Sequence, residues 1–212
     1  MDIGLKMKSN FLKFTINIFT ISIITFITSM IFISGCSNDG FNHSDFKVEV
    51  KGNNLMKMPK KGTVDPAIGI NAPEITGISF EKQPIQIRPS GKFTIILFLA
   101  HWCQHCRSEV DMLGPWIIDN PISKNLDFIS VATSIDNSRP NYPPDIWLNQ
   151  EDWPVKTIVD DIESSIGKSF GITSFPTWII LDEKGKVYNR FSGSITTKAF
   201  VNLTTFLSEE NN

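Results

Sequence analysis

The order of strand-like and helix-like segments predicts an α/β domain in which helices flank a central mixed sheet. Continuous apolar runs at Phe93–Ala100 and Leu126–Ala132 are typical of strands buried in the middle of a sheet. A helical stretch follows the first run, and this strand–helix alternation favours parallel strands. The turn Glu183–Lys186 joins two apolar segments and predicts a terminal hairpin, which adds antiparallel strands.

The other elements are shorter and are predicted from local patterns. Two strands around the turn Glu81–Lys82 form an N-terminal β extension, and the helix after Cys106 is expected to reach about Asn120. Gly114–Pro115 should kink or split that helix. Further elements are a short helix at Asp145–Asn149, a strand in KTIVD (residues 156–160), a helix at Ile162–Phe170 that Gly171 caps, and an amphipathic helix at Thr196–Leu207 with Phe200, Leu203, Phe206 and Leu207 at helical spacing.

Length and composition indicate one ordinary globular domain with additional segments. The chain has 212 residues, of which 41% are hydrophobic and 20% charged, as in most globular proteins. Its net charge of −2 lacks the strongly basic signature of a nucleic-acid-binding protein. We therefore expect no nucleic-acid partner.

The first 35 residues have the pattern of a secretory signal. Basic residues are followed by the uncharged apolar run Phe14–Ile33 and then by the small pair Ser34-Gly35. A run of about 20 apolar residues can also span a bilayer, so an uncleaved N-terminal anchor remains the alternative. In both interpretations the basic end stays inside, and the rest of the chain lies outside the cytoplasm.

Ile33-Ser34-Gly35-Cys36 resembles the lipobox of bacterial lipoproteins. This resemblance implies cleavage before Cys36 and a diacylglyceryl group on its sulfur, which makes residues 1–35 a lipoprotein signal peptide. Residues 36–66 are polar and irregular, and we interpret them as the lipidated cysteine and a flexible tether. Phe46–Val50 alternates like a short strand, and His43 has no expected role. The globular domain is then residues 67–210.

The segment AHWCQHCR, residues 100–107, contains two of the three cysteines of the chain. Haem attachment requires a histidine directly after the second cysteine, and Arg107 stands there. A structural zinc site needs four ligands, usually from two such pairs, and the chain has no second pair. His101 and His105 are poor candidates because His105 lies between the cysteines. No metal ligands are therefore assigned, and a copper or other metal chaperone stays as an alternative.

A pair of redox-active thiols fits the surrounding pattern better. The pair follows a buried strand and opens a helix, whose N-terminus stabilises a thiolate at Cys103. Thiolate is the attacking species in disulfide exchange, and Cys106, one turn further on, would resolve the mixed disulfide. A purely structural bridge over two residues would stabilise the chain little.

WCQHC after an apolar strand and SFPT at Ser174–Thr177 resemble the thioredoxin superfamily, over about Ala72–Phe206. The resemblance implies a thioredoxin-like three-layer α/β/α fold with a central mixed sheet and an N-terminal β extension. It also implies a cis bond at Phe175–Pro176 beside the sulfurs, where a substrate chain pairs with the Phe175 backbone. Trp102 would be a surface aromatic that contacts partners.

NAPEITG, CRSEV and FPTWIILDEKGKV resemble the TlpA-like extracytoplasmic members of that superfamily. Those members are mostly reductases of exported proteins. Ala100 stands where a peroxidase has Thr or Ser, which disfavours peroxidase activity. Leu97 replaces the buried Asp of cytoplasmic thioredoxins, and Glu109, one turn past Cys106, is either the proton acceptor or a solvated helix-face residue.

His105 favours the opposite direction of electron flow. DsbA-like oxidases and protein disulfide isomerases also have a histidine before the second cysteine, and its charge can stabilise the Cys103 thiolate and make the disulfide more oxidising. Gln104 carries no such argument. The long loop Ser134–Pro154, with Trp147 and Trp153, is expected to shape partner choice.

We therefore predict a membrane-anchored, extracytoplasmic lipoprotein of the cell envelope that exchanges a Cys103–Cys106 dithiol with exported protein thiols and disulfides. The interpretation favours a reductase that needs no cofactor besides this disulfide. Its redox partner would be a membrane-bound electron donor or acceptor, and the lipid on Cys36 would bind the membrane. The alternatives are a DsbA-like oxidase, a metal chaperone, and a lipid-anchored scaffold whose CxxC is vestigial.

Overall fold

The structure, a computed structural model, describes residues 40–60 and 62–210. These residues contain eight strands and four α-helices. The predicted signal peptide and the predicted lipidation site Cys36 lie outside these residues. Within the described ranges, no helix has the length and apolar character that a membrane span requires. The strands are β1 Glu49–Lys51, β2 Glu74–Ile78, β3 Pro84–Ile87, β4 Phe93–Leu99, β5 Leu126–Ala132, β6 Thr157–Val159, β7 Thr177–Leu181 and β8 Val187–Ser192; the helices are α1 Gln104–Asp119, α2 Pro144–Gln150, α3 Ser165–Ser169 and α4 Thr197–Glu210.

The central sheet has five strands in the order β6-β5-β4-β7-β8. β4, β5 and β6 run parallel, while β7 and β8 are antiparallel to their neighbours, so the sheet is mixed as predicted. A separate antiparallel sheet, β1-β2-β3, is the N-terminal β extension. Both predicted features of the fold are confirmed.

β4 lies at the centre because both of its faces are buried. Ile95, Leu97 and Leu99 pack in the core on one face of the sheet, with residues of α1 and α4. Ile96 and Phe98 pack in the other core, with α3 and the N-terminal sheet. Since side chains of a strand alternate between faces, a strand covered on both sides must be apolar throughout, as this run is.

α1 is a single helix from Gln104 to Asp119 with Pro115 inside it, so the expected split at Gly114–Pro115 is wrong. Proline removes one backbone hydrogen bond, and the buried side chains of Val110, Leu113 and Ile117 hold the helix on both sides of it. Gly114 is buried against the long loop, and a Cβ at this position would make an ordinary contact, 3.5 Å from the carbonyl oxygen of Glu151.

Two other helices differ from the predicted bounds. α3 starts at Ser165 and not at Ile162, because the carboxylates of Asp160 and Asp161 accept the first free N–H groups of the helix. α4 extends to Glu210, and Phe206, expected on its apolar face, is 44% exposed. It lies six residues from the fully buried Phe200, a spacing that turns it to another face of the helix.

The flexible tether expected for residues 36–66 is wrong for residues 41–60 and 62–66, which pack on the domain. A 3₁₀ turn at His43–Asp45 leads into β1, and Phe46 and Leu55 are buried. The Leu55 N–H donates to the Ser169 carbonyl at 2.8 Å. His43 has a contact as well, since its Nε2 lies 2.9 Å from the Asp160 carbonyl oxygen.

An ion pair fixes the end of this segment to β8. The guanidinium of Arg190, whose side chain is fully buried, binds the Asp65 carboxylate through two bonds of 2.6 and 2.7 Å. It also donates to the carbonyl oxygens of Met56 and Phe170. Burial raises the pKa of Asp65, but hydrogen bonding and charge from Arg190 outweigh burial and lower it.

Candidate redox site

Cys103 stands at the junction of the central strand and the first helix. β4 ends at Leu99, and a tight turn closed by the bond from the Cys103 N–H to the Ala100 carbonyl precedes α1. Cys103 is the N-cap of this 16-residue helix, and its side chain makes no capping bond to it. A sulfur held at a helix N-terminus lies where the helix dipole favours negative charge.

The predicted cis-proline loop lies against this sulfur. The Phe175–Pro176 bond is cis, which confirms the prediction, and β7 begins directly after it. The Cys103 thiol donates to the Phe175 carbonyl oxygen at 3.5 Å, and Cys103 is only 9% exposed. Pro176 is buried and Phe175 half-buried. The Cys103 sulfur, which is little exposed, and the Phe175 backbone carbonyl therefore lie next to each other.

Cys106 is fully buried behind Cys103, and both are free thiols. Burial strongly raises the pKa of the Cys106 thiol, and the neighbouring Cys103 and the charge of Glu109 raise it further, while a hydrogen bond with the Ala100 backbone opposes them. Cys106 therefore holds its proton at neutral pH. It can act as a nucleophile only if a nearby group accepts that proton.

Glu109 is buried, so the interpretation as a solvated helix-face residue is wrong. Its Oε1 accepts a hydrogen bond from the Ile195 N–H at 3.1 Å, and Oε2 has no hydrogen-bond partner among the described residues. Burial raises the pKa of this carboxyl, against the Ile195 N–H and the Ser194 hydroxyl, which lower it. The carboxyl is a titratable group one helical turn from Cys106.

The two residues between the cysteines face solvent. Gln104 and His105 are both exposed, and in the described part of the chain the His105 imidazole makes no hydrogen bond; the Ser194 hydroxyl donates to the His105 backbone carbonyl at 3.5 Å. The imidazole is therefore not hydrogen-bonded to Cys103. Any charge that it carries is screened by water.

Trp102, predicted as a surface aromatic, is only partly exposed and makes three contacts within the described residues. Its indole Nε1–H donates to the Ser134 carbonyl at 2.8 Å, and its ring meets that of Phe175 edge-on at 5.8 Å. The guanidinium of Arg139 lies over the same ring, 4.5 Å from its centroid. Only part of Trp102 remains for a partner to contact.

His101 connects the site to the long loop, which sequence reasoning missed. It is 1% exposed; its Nδ1 lies 2.7 Å from the Pro140 carbonyl oxygen, and its Nε2 accepts from the Asp136 N–H at 3.1 Å. Because Nε2 accepts, the proton of the neutral ring belongs on Nδ1. Burial lowers the pKa of His101, although its backbone hydrogen bonds and the charge of Asp136 oppose this.

These contacts bear on a metal site as well. Both ring nitrogens of His101 are engaged by the loop backbone. Across residues 40–60 and 62–210, no three His, Cys, Asp or Glu side chains are grouped so that they could hold a metal ion. The described residues offer the two thiols no further ligand of this kind.

Comparison with known proteins gives one family and a set of related folds. The model of a family described as a thioredoxin-like domain matches residues 80–207, more than half of the chain. The chain is 27% identical over 150 residues to thioredoxin-like protein YneN of Bacillus subtilis (strain 168), a match that covers 69% of this chain and 84% of that protein.

Two solved structures show the same fold. StoA from Bacillus subtilis superposes with a TM-score of 0.53 at 22% identity, covering 66% of this chain and 99% of that one. A thiol:disulfide interchange protein of the thioredoxin family from Chlorobium tepidum TLS superposes with a TM-score of 0.54 at 20% identity, covering 69% and 99%.

Proposed function

The chain belongs to the thioredoxin-like family, and on this premise we propose that it is a thiol–disulfide oxidoreductase that reduces exported proteins. One observation carries the proposal. The Cys103 sulfur sits at a helix N-terminus beside the Phe175 carbonyl, with the fully buried Cys106 behind it. One sulfur is placed to meet a partner and the other to attack the first.

The reaction proceeds in two exchanges. The Cys103 thiolate attacks one sulfur of a substrate disulfide and forms a mixed disulfide, and the other substrate sulfur leaves and takes up a proton. Cys106 then loses its proton and attacks the Cys103 sulfur, which releases the second substrate thiol. The substrate gains two electrons and two protons, and the protein keeps a Cys103–Cys106 disulfide. No cofactor besides this disulfide takes part.

Phe175 orients the incoming chain. Its carbonyl, 3.5 Å from the Cys103 sulfur, can accept a backbone N–H from an extended substrate segment, which then pairs like an added strand. Trp102 precedes Cys103 and Pro176 follows Phe175 in the chain, so both lie beside the proposed pairing position. This strand-like pairing recognises the backbone of the partner, so it suits protein substrates with an exposed disulfide.

Glu109 accepts the proton of Cys106. The thiol is buried and its pKa is raised, so it needs a base, and the buried carboxyl one turn away has an oxygen to which none of the described residues donates a hydrogen bond. General bases of this kind contribute about 10²- to 10⁴-fold to rates. Gln104 and His105, both exposed, supply no comparable group.

The exposure of His105 supports the reductive direction. A histidine makes the disulfide more oxidising only to the extent that it stabilises the Cys103 thiolate, and a solvated imidazole without a bond to Cys103 does this weakly. We expect a reduction potential closer to the about −270 mV of thioredoxin than to the about −120 mV of DsbA. Equilibration with redox buffers measures it, and a DsbA-like value would favour the oxidase alternative.

We further propose that the protein is a lipoprotein anchored by lipid on Cys36 after removal of residues 1–35. The motif before Cys36 supports this, and the electron donor would then be a membrane-bound protein. Mass spectrometry of the mature N-terminus should show a diacylated Cys36. A chain that keeps Met1 would contradict it and leave the uncleaved anchor.

Trapping tests the redox mechanism directly. Cys106→Ser should accumulate a mixed disulfide with a reporter substrate such as insulin, while Cys103→Ser should form none and lose reductase activity. The mixed disulfide is seen on a non-reducing gel and disappears with dithiothreitol. Full activity in Cys103→Ser would show that another group performs the reaction.

A further inference from the structure

One cation is held beside the reactive cysteine by the long loop. The Arg139 guanidinium lies over the Trp102 ring at 4.5 Å from its centroid, and Trp102 precedes Cys103 in the chain. Trp102 in turn meets Phe175, whose carbonyl contacts the Cys103 thiol. A chain that pairs with Phe175 would therefore pass close to this guanidinium.

The loop around Arg139 is anchored on both sides by one histidine. His101 accepts from the N–H of Asp136, three residues before Arg139, and contacts the carbonyl of Pro140, the residue after it. The Asn141 side chain donates to the His101 carbonyl at 3.0 Å. Since His101 lies two residues from Cys103, the position of Arg139 is tied to the redox turn and is set before a partner arrives.

The Nη atoms of the Arg139 guanidinium are hydrogen-bond donors without a partner among the described residues. Its carboxylate neighbour is Asp136, at 3.9 Å from Nε, and no hydrogen bond from either Nη atom occurs in the described part of the chain. The N–H and hydroxyl of Ser138 donate to Oδ1 of Asp136, at 2.9 and 2.7 Å, and Oδ2 is the oxygen that faces Arg139. The Arg139 side chain is 51% exposed. One edge of the fork is thus open to a carboxylate, the group that arginine binds through two parallel bonds.

We propose that Arg139 is a specificity-determining residue that selects partner chains carrying an acidic residue next to the reacting cysteine. A guanidinium already held over the Trp102 ring loses little freedom when it binds, which favours such a contact. The inference rests on the proposed function, since it places Arg139 beside the proposed pairing position of that same site.

Three short peptides test this, each with one internal disulfide and identical except for Glu, Gln or Lys after the reacting cysteine. The pre-reduced full-length protein reduces each peptide in a single turnover, in which its own dithiol becomes a disulfide. The rate constant for the Glu peptide should exceed that for the Gln peptide about threefold to tenfold, with the Lys peptide slowest. The difference should shrink at high salt.

Variants assign the effect to Arg139. Arg139→Gln should bring the Glu/Gln ratio to about one, and Arg139→Lys should keep only part of it, because lysine retains the charge without the fork. Arg88→Gln removes an equivalent charge from an exposed position directly after β3 and should leave the ratio unchanged. A ratio of one in the wild type, or a ratio that survives Arg139→Gln, would overturn the proposal.

A binding measurement separates this inference from the redox mechanism. The reduced peptides are titrated into the full-length Cys103→Ser protein, and dissociation constants are obtained from NMR shifts of the indole groups. Binding should follow the same Glu, Gln, Lys order and depend on Arg139. If no peptide were reduced but this order held, the proposed redox function would fail while the role of Arg139 stood; equal affinities would refute that role.

Discussion

Replacing Glu109 by Gln should slow the second exchange of the reaction and leave the first intact. The amide keeps an oxygen that can accept from the Ile195 N–H, so the local fold should persist. What the change removes is a buried titratable group beside Cys106. Two effects on Cys106 then oppose each other, and their sizes determine the outcome.

The first effect is electrostatic and favours the variant. Side chains three apart on a helix have Cβ atoms about 5–6 Å apart, and two negative charges at that distance repel by about 3 kcal/mol at an effective dielectric constant of about 20. Glu109 is the smallest of the causes that act on the pKa of Cys106, so the gain from removing its charge lies below this figure.

The second effect is the loss of the proton acceptor. General-base catalysis contributes about 10²- to 10⁴-fold, or about 2.7–5.5 kcal/mol, which exceeds the electrostatic gain. Glu109→Gln should therefore resolve mixed disulfides about tenfold to a thousandfold more slowly near pH 7. In the wild type, the rate should rise with pH as Glu109 loses its proton, above the usual range for a carboxyl. The variant should lack this rise.

Ellman's reagent in a stopped-flow instrument resolves the two steps. The first thiolate released reports attack by Cys103, and the second reports attack by Cys106 on the mixed disulfide. Asp111→Asn is the matched control, since it makes the same chemical change at an exposed position of the same helix and should alter neither phase. A second phase at least as fast as wild type at every pH would show that Glu109 is not the proton acceptor, and a faster one that its charge only repels the thiolate.

Three predictions concern stability. Burial lowers the pKa of His101, so protonation favours the unfolded chain and the wild type should lose stability as pH falls below about 6.5. In urea denaturation, His101→Gln should lose less stability than the wild type between about pH 7.5 and about pH 5. Asp65→Asn should cost about 3–5 kcal/mol because Arg190 keeps a buried charge without its carboxylate, and an additional Arg190→Met should recover much of this. Leu55→Ala should lower the free energy of unfolding by about 2–4 kcal/mol, while Val64→Ala, at a position 91% exposed, should lower it by less than about 0.5 kcal/mol. Equal small losses would support the interpretation of this segment as a flexible tether.

The central sheet could be predicted because its signal is local. Every residue of β4 is buried, and only an apolar run satisfies two covered faces at once. The helix α1 shows where a local rule fails. Pro115 disfavours a continuous helix by about 3 kcal/mol, but the side chains of Leu113 and Ile117 pack on the sheet and offset that cost. Packing against residues distant in the chain determined the outcome.

The N-terminal segment was misjudged because its partners are far away in the chain. Its composition is that of a disordered tether, and two buried apolar residues, Phe46 and Leu55, are too few to change that average. Its charged anchor is Asp65, which binds a residue 125 positions later. No pattern within residues 36–66 contains Arg190, so no reading of that window alone could place the segment on the domain.

The site also has features that local sequence predicts and features that depend on distant segments. Cys103, Cys106 and the cis bond before Pro176 follow from a short motif and from the strand and helix around it. The burial of Glu109 depends on the segment at Ser194 and Ile195, and the placement of His101 depends on a loop that returns 35 to 40 residues later.

The motif and the segments outside it contribute different parts of the proposed activity. In the proposed mechanism the motif and the helix that it opens supply both sulfurs and the proton acceptor Glu109. Segments outside the motif bury Glu109 and present the charge of Arg139 to partners. Because Arg139 belongs to a loop that contacts the redox turn through His101 and Trp102, changes in this loop can alter the choice of partner without altering the reaction. Rate and specificity can therefore vary separately, and the two variants Glu109→Gln and Arg139→Gln should each change one of them.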